Sequence, residues 1–219
     1  PDRLTRASRS ETAIQPYVNA VMSNGCPWCV ASVPIPSWAK KVFPDLPELE
    51  AMDKLWDAIF TSVRINGKGD AVARWREHTA LLRNRVDKLN ELHFESLYYE
   101  NSLGTRLNIR LPEKHVWSGG SNLCRAGYSF VANMPTEEVF TAPLREGIDG
   151  VVYSAMPLVH NGNIIENFHF VIKDGRIVDV HAEKGEDILR AAIAEDEGAS
   201  YFGEVALVPY DSPISNQKI

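Results

Sequence analysis

The hydrophobic period changes once along this chain, near residue 98, and that change limits the folds open to it. Before it, apolar residues recur three and four apart, the spacing of a helical face. Residues 5–22 carry Ala13, Ile14, Tyr17, Val18 and Val21 on such a face, and Asn24-Gly25 ends it. Residues 29–33 read as a short buried strand that Pro34 and Pro36 break, with Ser37 capping a helical turn through Val42. Pro47 opens a second helix striped by Met52, Leu55, Trp56, Ile59, Phe60 and Val63. Asn66-Gly67-Lys-Gly69 is a loop, after which Asp70 caps a long helix whose inner face is Val72, Trp75, Leu82, Val86, Leu89 and Leu92. After the change, residues 104–111 alternate with period two, a half-buried strand. Asn161-Gly162-Asn163 and Lys173-Asp174-Gly175 are hairpin turn signals between strand-like runs, so a three-stranded meander spans about residues 150–182. A short amphipathic helix follows at 186–195, then a buried strand at 205–208 that stops at Pro209. The fold class is α/β (α+β). A helix-rich α/β part occupies residues 1–100, and a β-rich, mainly antiparallel domain with at least one helix occupies 101–219.

The charge balance removes whole function classes. A net charge of −6 argues against a nucleic-acid surface, which needs a basic patch. No apolar run approaches the roughly 20 residues that span a bilayer. The N-terminus lacks the apolar core of a secretion signal and an initiator Met, so the chain reads as starting inside a longer gene product. Three cysteines suit reduced thiols better than a disulfide framework. Cys26-Pro-Trp-Cys29 matches C-x-x-C, yet a helix precedes it and a strand follows, the reverse of the redox motif. A four-cysteine zinc site would need a second pair, and only Cys124 is left. The pair is read as accidental.

The acids are more telling. Asn133-Met-Pro-Thr-Glu-Glu-Val-Phe-Thr-Ala-Pro143 sets Glu137 beside Glu138 in apolar and turn-forming surroundings, with no base close in sequence. An ordered carboxylate there needs a partner: backbone N–H groups, an arginine or a metal ion. Locally, Thr136 capping a turn that receives one of the glutamates explains the motif as well as metal ligation does. Glu204, 66 residues after Glu138, stands at the mouth of a buried strand, where an exposed strand-end acid is the plain reading. The histidines form no H-x-x-x-H or H-E-x-x-H, although His181 and Glu183 would share a strand face as a surface pair. No G-x-S-x-G occurs, and Gly119-Gly120-Ser121 is a flexible loop without the Lys-Ser/Thr of a phosphate cradle. Trp28, Trp38, Trp56 and Trp75 read as core, and Trp117 as core that could line a pocket.

Several stretches together resemble the thermophilic-type metalloaminopeptidases, the family of aminopeptidases T and S and PepS. They are Trp38-Ala-Lys-Lys-Val-Phe43, Leu55-Trp-Asp-Ala-Ile-Phe60, Gly104-Thr-Arg-Leu107, the acid motif at 133–143, Ala182-Glu-Lys-Gly-Glu-Asp187 and Gly203-Glu-Val-Ala-Leu-Val-Pro-Tyr-Asp-Ser-Pro-Ile-Ser215. The resemblance implies a cytoplasmic homodimer that releases N-terminal residues from peptides with water activated by two divalent ions, zinc, cobalt, manganese or magnesium. It implies metal ligation by the second glutamate of P-T-E-E, Glu138, and by the glutamate of G-E-V-A-L-V-P, Glu204. Glu137 would then orient its neighbour or accept a proton. The family's remaining ligands, a histidine, a tyrosine and a His-x-Asp pair, follow the S-P-I-S stretch. The chain starts inside the family's first domain and stops at Ile219, so it reads as a piece that binds metal weakly and is inactive alone. Arg106 stands where an acid is expected in G-T-D-L, a cation that would alter substrate preference, and Cys26-Pro-Trp-Cys29 is foreign to the family pattern. Two other classes stay open: a non-catalytic dimerisation or binding module, and a thiol redox protein built on Cys26 and Cys29.

Overall fold

A computed structural model describes residues 11–217 apart from Asn66 and Lys68. The start of the first expected helix and part of the loop around Gly67 lie outside the described residues. In chain order the elements are α1 (Glu11–Met22), β1 (Val30–Ala31), α2 (Pro36–Val42), α3 (Glu48–Ser62), α4 (Ala71–Leu92), β2 (Ser96–Glu100), β3 (Arg106–Arg110), β4 (Ser118–Gly119), β5 (Asn122–Leu123) and β6 (Ser129–Phe130). There follow β7 (Asn133–Met134), β8 (Val139–Thr141), β9 (Ile148–Tyr153), β10 (Leu158–His160), β11 (Asn163–Lys173), β12 (Arg176–Lys184), α5 (Glu186–Ile193), a 3-10 turn (Gly198–Ser200), β13 (Val205–Leu207) and α6 (Pro213–Gln217). The α/β class is therefore as expected. The chain packs as two compact units that interleave in sequence: Pro1–Arg85 with Gly119–Val139 and Val208–Ile219, and Val86–Ser118 with Phe140–Leu207. A cut near residue 100 would be sequential. Among the described residues no helix is long and apolar enough to cross a membrane.

The first unit is built on helices. Ala39, Ala51 and Leu55 are buried where α2 meets α3, with Val42, Phe43 and Leu46 packed around them. Asp70 caps α4 as expected, its carboxylate accepting the Val72 N–H at 2.9 Å. Trp75, one turn further, donates its indole N–H to the Val63 carbonyl at 2.7 Å and so ties α4 to the end of α3. The inner face of α4 is narrower than its apolar spacing implies. Trp75, Leu82 and Val86 are buried, whereas Val72 and Leu92, at the two ends, are exposed. Three local expectations fail. Ser37 is not a cap: α2 starts at Pro36 after Ile35, with no side-chain cap. The strand at 29–33 is a two-residue parallel pairing with β7, and its Val30 is exposed, because one short ladder covers neither face. Trp38 is exposed and Trp28 and Trp56 are half-buried, which leaves Trp75 as the core member of that group.

The second unit is built on an antiparallel sheet in the order β10-β11-β9-β3-β2, with β12 on the other edge of β11. Both hairpin signals form. Asn161 and Gly162 join β10 to β11, and Asp174 and Gly175 join β11 to β12, all four with positive φ, the backbone of a primed two-residue turn. Strand alternation then sorts the faces. Ile165, Val180 and Ala182 pack inward against Leu189 of α5, with Phe168, Phe170, Ile188 and Ile193 around them. Trp117 is buried, its backbone N–H and carbonyl both bonded to the Asn90 amide. It is core.

α5 is anchored by Glu186, which accepts the Ala182 N–H and the Arg190 guanidinium. That backbone N–H, then Arg190, holds its carboxyl below the usual glutamate range. The unfolded chain therefore takes up the proton first as the pH falls, and Glu186 stabilises the fold above the ordinary glutamate pKa and ceases to do so at acid pH. Glu186→Gln is expected to lower the urea midpoint at neutral pH, and the gap should close as the pH falls through the lowered Glu186 pKa. A gap that does not narrow with falling pH would refute this. Gly175 is more demanding still: at φ 79° a Cβ would meet the Arg145 carbonyl oxygen at 1.7 Å. Gly175→Ala should cost more than about 2 kcal/mol in denaturant unfolding, since strain and overlap add.

Candidate functional site

The acid motif lies in the first unit between two short strands. β7 pairs in parallel with β1, the Met134–Pro135 peptide is cis, and residues 135–138 run without helix or strand into β8. No helix starts at Thr136, so it is not a cap. Its carbonyl instead accepts the Nε2–H of His78, a buried residue of α4, at 2.7 Å.

Glu137 is buried, and its partner is an arginine. Arg64 grips both carboxylate oxygens, with Nη1 on Oε1 and Nη2 on Oε2 at 2.9 Å. The side chains are 19% and 5% exposed, so this is a largely desolvated, two-point pair. Arg64 comes 73 residues earlier in the chain. It sits just past the C-terminal end of α3 in the left-handed region, φ 60°, with its N–H on the Thr61 carbonyl. That conformation turns the chain sharply after the helix and lets a long side chain reach the acid. His78 Nε2 is 3.8 Å from Glu137 Oε1, and Trp75 packs its edge against the His78 ring at 5.6 Å. Arg64 and His78 are thus the functional neighbours that sequence reasoning missed. The only signal in the chain was the demand of a buried carboxylate for a partner.

Glu138 is half-buried, and its backbone is wedged against Gly119: a Cβ there would lie 2.7 Å from the Glu138 carbonyl oxygen. A Cβ at Gly120 would in turn lie 3.0 Å from the Leu82 side chain of α4. The Gly-Gly pair is a site of close approach and not merely a loop. Glu204 is exposed and directly precedes β13, as Glu138 directly precedes β8. β13 and β8 are neighbours in a three-stranded sheet. Arg64, His78, Thr61, Arg74 and Glu77 line a cavity of about 640 Å³, closed in part by Gln217 of α6. Cys26 and Cys29 are free and exposed in non-helical chain, and Cys124 is free and buried. Arg106 is exposed on β3, its Nε 3.7 Å from Glu100 across the strand pair.

The donor chemistry only partly fits a metal. Carboxylate oxygens suit hard and borderline divalent ions. A catalytic ion generally takes about three protein ligands, however, and among the described residues no group of three or more His, Cys, Asp or Glu could hold one. This chain offers at most part of a shell.

The Arg64–Glu137 pair has a measurable consequence. Arg64→Ala leaves a buried carboxylate uncompensated and is expected to cost about 3–5 kcal/mol in urea unfolding. Arg64→Met combined with Glu137→Leu should recover most of that loss, because the desolvation cost leaves with the charges. A loss below about 1 kcal/mol for Arg64→Ala would show the pair to be solvated.

Comparison with known proteins gives a consistent result. A family model described as thermophilic metalloprotease (M29) matches residues 1–219. The chain is 49% identical over 207 residues to aminopeptidase AmpS of Bacillus subtilis, covering 94% of this chain and 50% of that protein. It is 42% identical over 216 residues to aminopeptidase T of Thermus aquaticus, covering 98% and 52%. The solved structure of wild-type AmpT from Thermus thermophilus superposes with a TM-score of 0.89 at 39% identity, covering 99% of this chain and 53% of that one. The chain spans about half the length of the curated relatives it matches.

Proposed function

The chain belongs to the thermophilic metalloprotease family M29, and on that premise we propose that it serves a metal-dependent aminopeptidase that releases N-terminal residues from peptides. The observation that carries this reading is the fixed setting of the P-T-E-E motif in a chain so similar to proteins named aminopeptidases. Arg64 absorbs the charge of Glu137, and Gly119 fixes the backbone of Glu138.

In this proposal Glu138 and Glu204 are metal ligands. The P-T-E-E and G-E-V-A-L-V-P motifs that carry them, in a chain so similar to proteins named aminopeptidases, support that assignment. Two divalent ions, zinc, cobalt, manganese or magnesium, would supply an activated water and a polarised peptide carbonyl when bound. The chain's own residues do the rest. Glu138 and Glu204 present carboxylate oxygens. Glu137 is a positioning residue, committed to Arg64, and it holds the strand entry that carries Glu138. His78 fixes the same segment through the Thr136 carbonyl. With two carboxylates against about three ligands per ion, the 219-residue chain alone would bind metal weakly and hydrolyse nothing. The assembly we propose is a cytoplasmic homodimer acting on peptides, with no nucleic-acid or membrane partner.

The test uses the product of the gene from which the chain comes. Glu138→Gln and Glu204→Gln should each lower hydrolysis of unblocked dipeptides by more than about 100-fold and reduce bound metal in elemental analysis, as loss of a direct ligand exceeds the 10–100-fold typical of outer partners. Full activity with either variant would overturn the ligand assignment. Turnover by the 219-residue chain itself would overturn the partial-shell reading.

A further inference from the structure

Two imidazoles oppose each other on the sheet of the second unit, on the side away from its core. Phe168 and Phe170 of β11 and Val180 and Ala182 of β12 pack inward, so alternation turns His169 and His181 outward. The two are direct partners in the β11–β12 register. Their ring centroids are 5.6 Å apart with planes inclined at 52°.

Both rings are held from outside the pair. Tyr153, the residue opposite His169 on β9, stacks on it at 4.6 Å with planes 23° apart. The Tyr153 ring has its place because position 104 is glycine: a Cβ there would stand 3.0 Å from Tyr153 Cε2. On the other side, His181 Nδ1 is 2.9 Å from Glu186 Oε2. The same Glu186 oxygen accepts the Ala182 N–H at 3.1 Å, and a carboxylate oxygen facing a ring nitrogen makes that nitrogen the donor, so Nδ1 carries the proton. In the neutral imidazole the lone pair then belongs to Nε2. A carboxylate on the far nitrogen is the arrangement that orients metal-binding histidines and raises their basicity. Sequence had paired His181 with Glu183 through face sharing. Instead Glu183 accepts the Asn167 amide at 2.5 Å, and Glu186 takes the imidazole.

Distances decide what the pair can do. With Zn–N near 2.0–2.1 Å and tetrahedral angles, the centroids of two ligand rings lie about 5 Å apart. The observed separation is within about half an ångström of that, a shift that rotamer adjustment on an outer sheet face supplies. The other close histidine pair fails this criterion. His93 and His115 stack at 4.5 Å with planes only 12° apart, so in-plane lone pairs cannot converge, and one nitrogen of each is bound to a backbone carbonyl.

We propose that His169 and His181 form a two-histidine chelate for a borderline transition cation, copper(II), nickel or zinc, with Glu186 orienting His181 and the remaining positions open to water or an outside ligand. Imidazole donors favour such ions over magnesium or calcium, and copper(II) heads the affinity order. The site is separate in sequence from Glu138 and Glu204, and its occupancy does not depend on the aminopeptidase reading.

Copper(II) titration of the 219-residue chain bearing Glu138→Gln, Glu204→Gln, Cys26→Ser and Cys29→Ser, which removes the exposed thiols that would bind or reduce copper, isolates it, so failure here leaves the proposed catalytic ligands untouched. One tightly bound copper(II) per chain is expected, with electron paramagnetic resonance hyperfine splitting from two imidazole nitrogens, while magnesium does not compete. His169→Ala and His181→Ala, each with an unchanged circular dichroism spectrum, should weaken binding at least about tenfold and reduce the nitrogen count to one. Unchanged affinity in either variant, or a parent spectrum without two-nitrogen splitting, overturns the proposal. The spectrum of the unsubstituted histidines stands even if a variant fails to fold.

Discussion

The buried Arg64–Glu137 ion pair is the constraint on which the acid segment depends. Taking a carboxylate out of water is tolerable only if its charge is met by donors of matching geometry. A planar guanidinium gripping both oxygens meets that condition, and a lysine would not, since it presents a point charge and no fork. Once Glu137 is committed, the chain through Pro135, Thr136 and Glu138 has little freedom. His78 takes the Thr136 carbonyl from one side, and Gly119 crowds the Glu138 carbonyl from another. α3 and α4 therefore do more than fill volume. One ends where Arg64 can reach the acid, the other places His78 beside it, and the Trp75–Val63 bond ties the two together.

The second unit solves a different problem. Its sheet must cover one face with α5 and leave the other to solvent, and alternation along β11 and β12 performs that sorting. An irregularity is needed to keep it. Ile165 and Phe168 both contribute to the core although they differ in parity, and Asn167 between them has φ 50°, the local kink that switches the face. On the open face, polar and aromatic side chains that the core cannot use line up across three strands as Tyr153, His169 and His181. Cross-strand opposition brings the two imidazoles to a centroid separation of 5.6 Å, which is why such a row reads as a site and not only as a surface.

Legibility in sequence followed the range of the interaction. Helices α3 and α4, the Asp70 cap, the alternating strand β3 and both hairpins were visible because propensity, capping and turn chemistry act over a few residues. The family resemblance was visible because its motifs are long. The faces were less so. Val72 and Leu92 fit the stripe of α4 and are exposed, and Val30 belongs to a strand that nothing buries, because periodicity states which residues share a face and not how far the packing extends. Cys26 and Cys29 are free and exposed, outside helix and strand.

By itself the sequence determined the α/β class, the longer helices and the antiparallel meander in their order, both hairpin turns and the need of the Glu137–Glu138 motif for a partner. Only the tertiary structure decided that Arg64 supplies the charge, that Glu186 and not Glu183 meets His181, and that the Gly119-Gly120 step exists for close packing. The physical reason is the same in each case. A local rule can state that a group must be satisfied, but the identity of its partner depends on which distant side chain the folded backbone brings within hydrogen-bond reach, and that is a property of the whole packing.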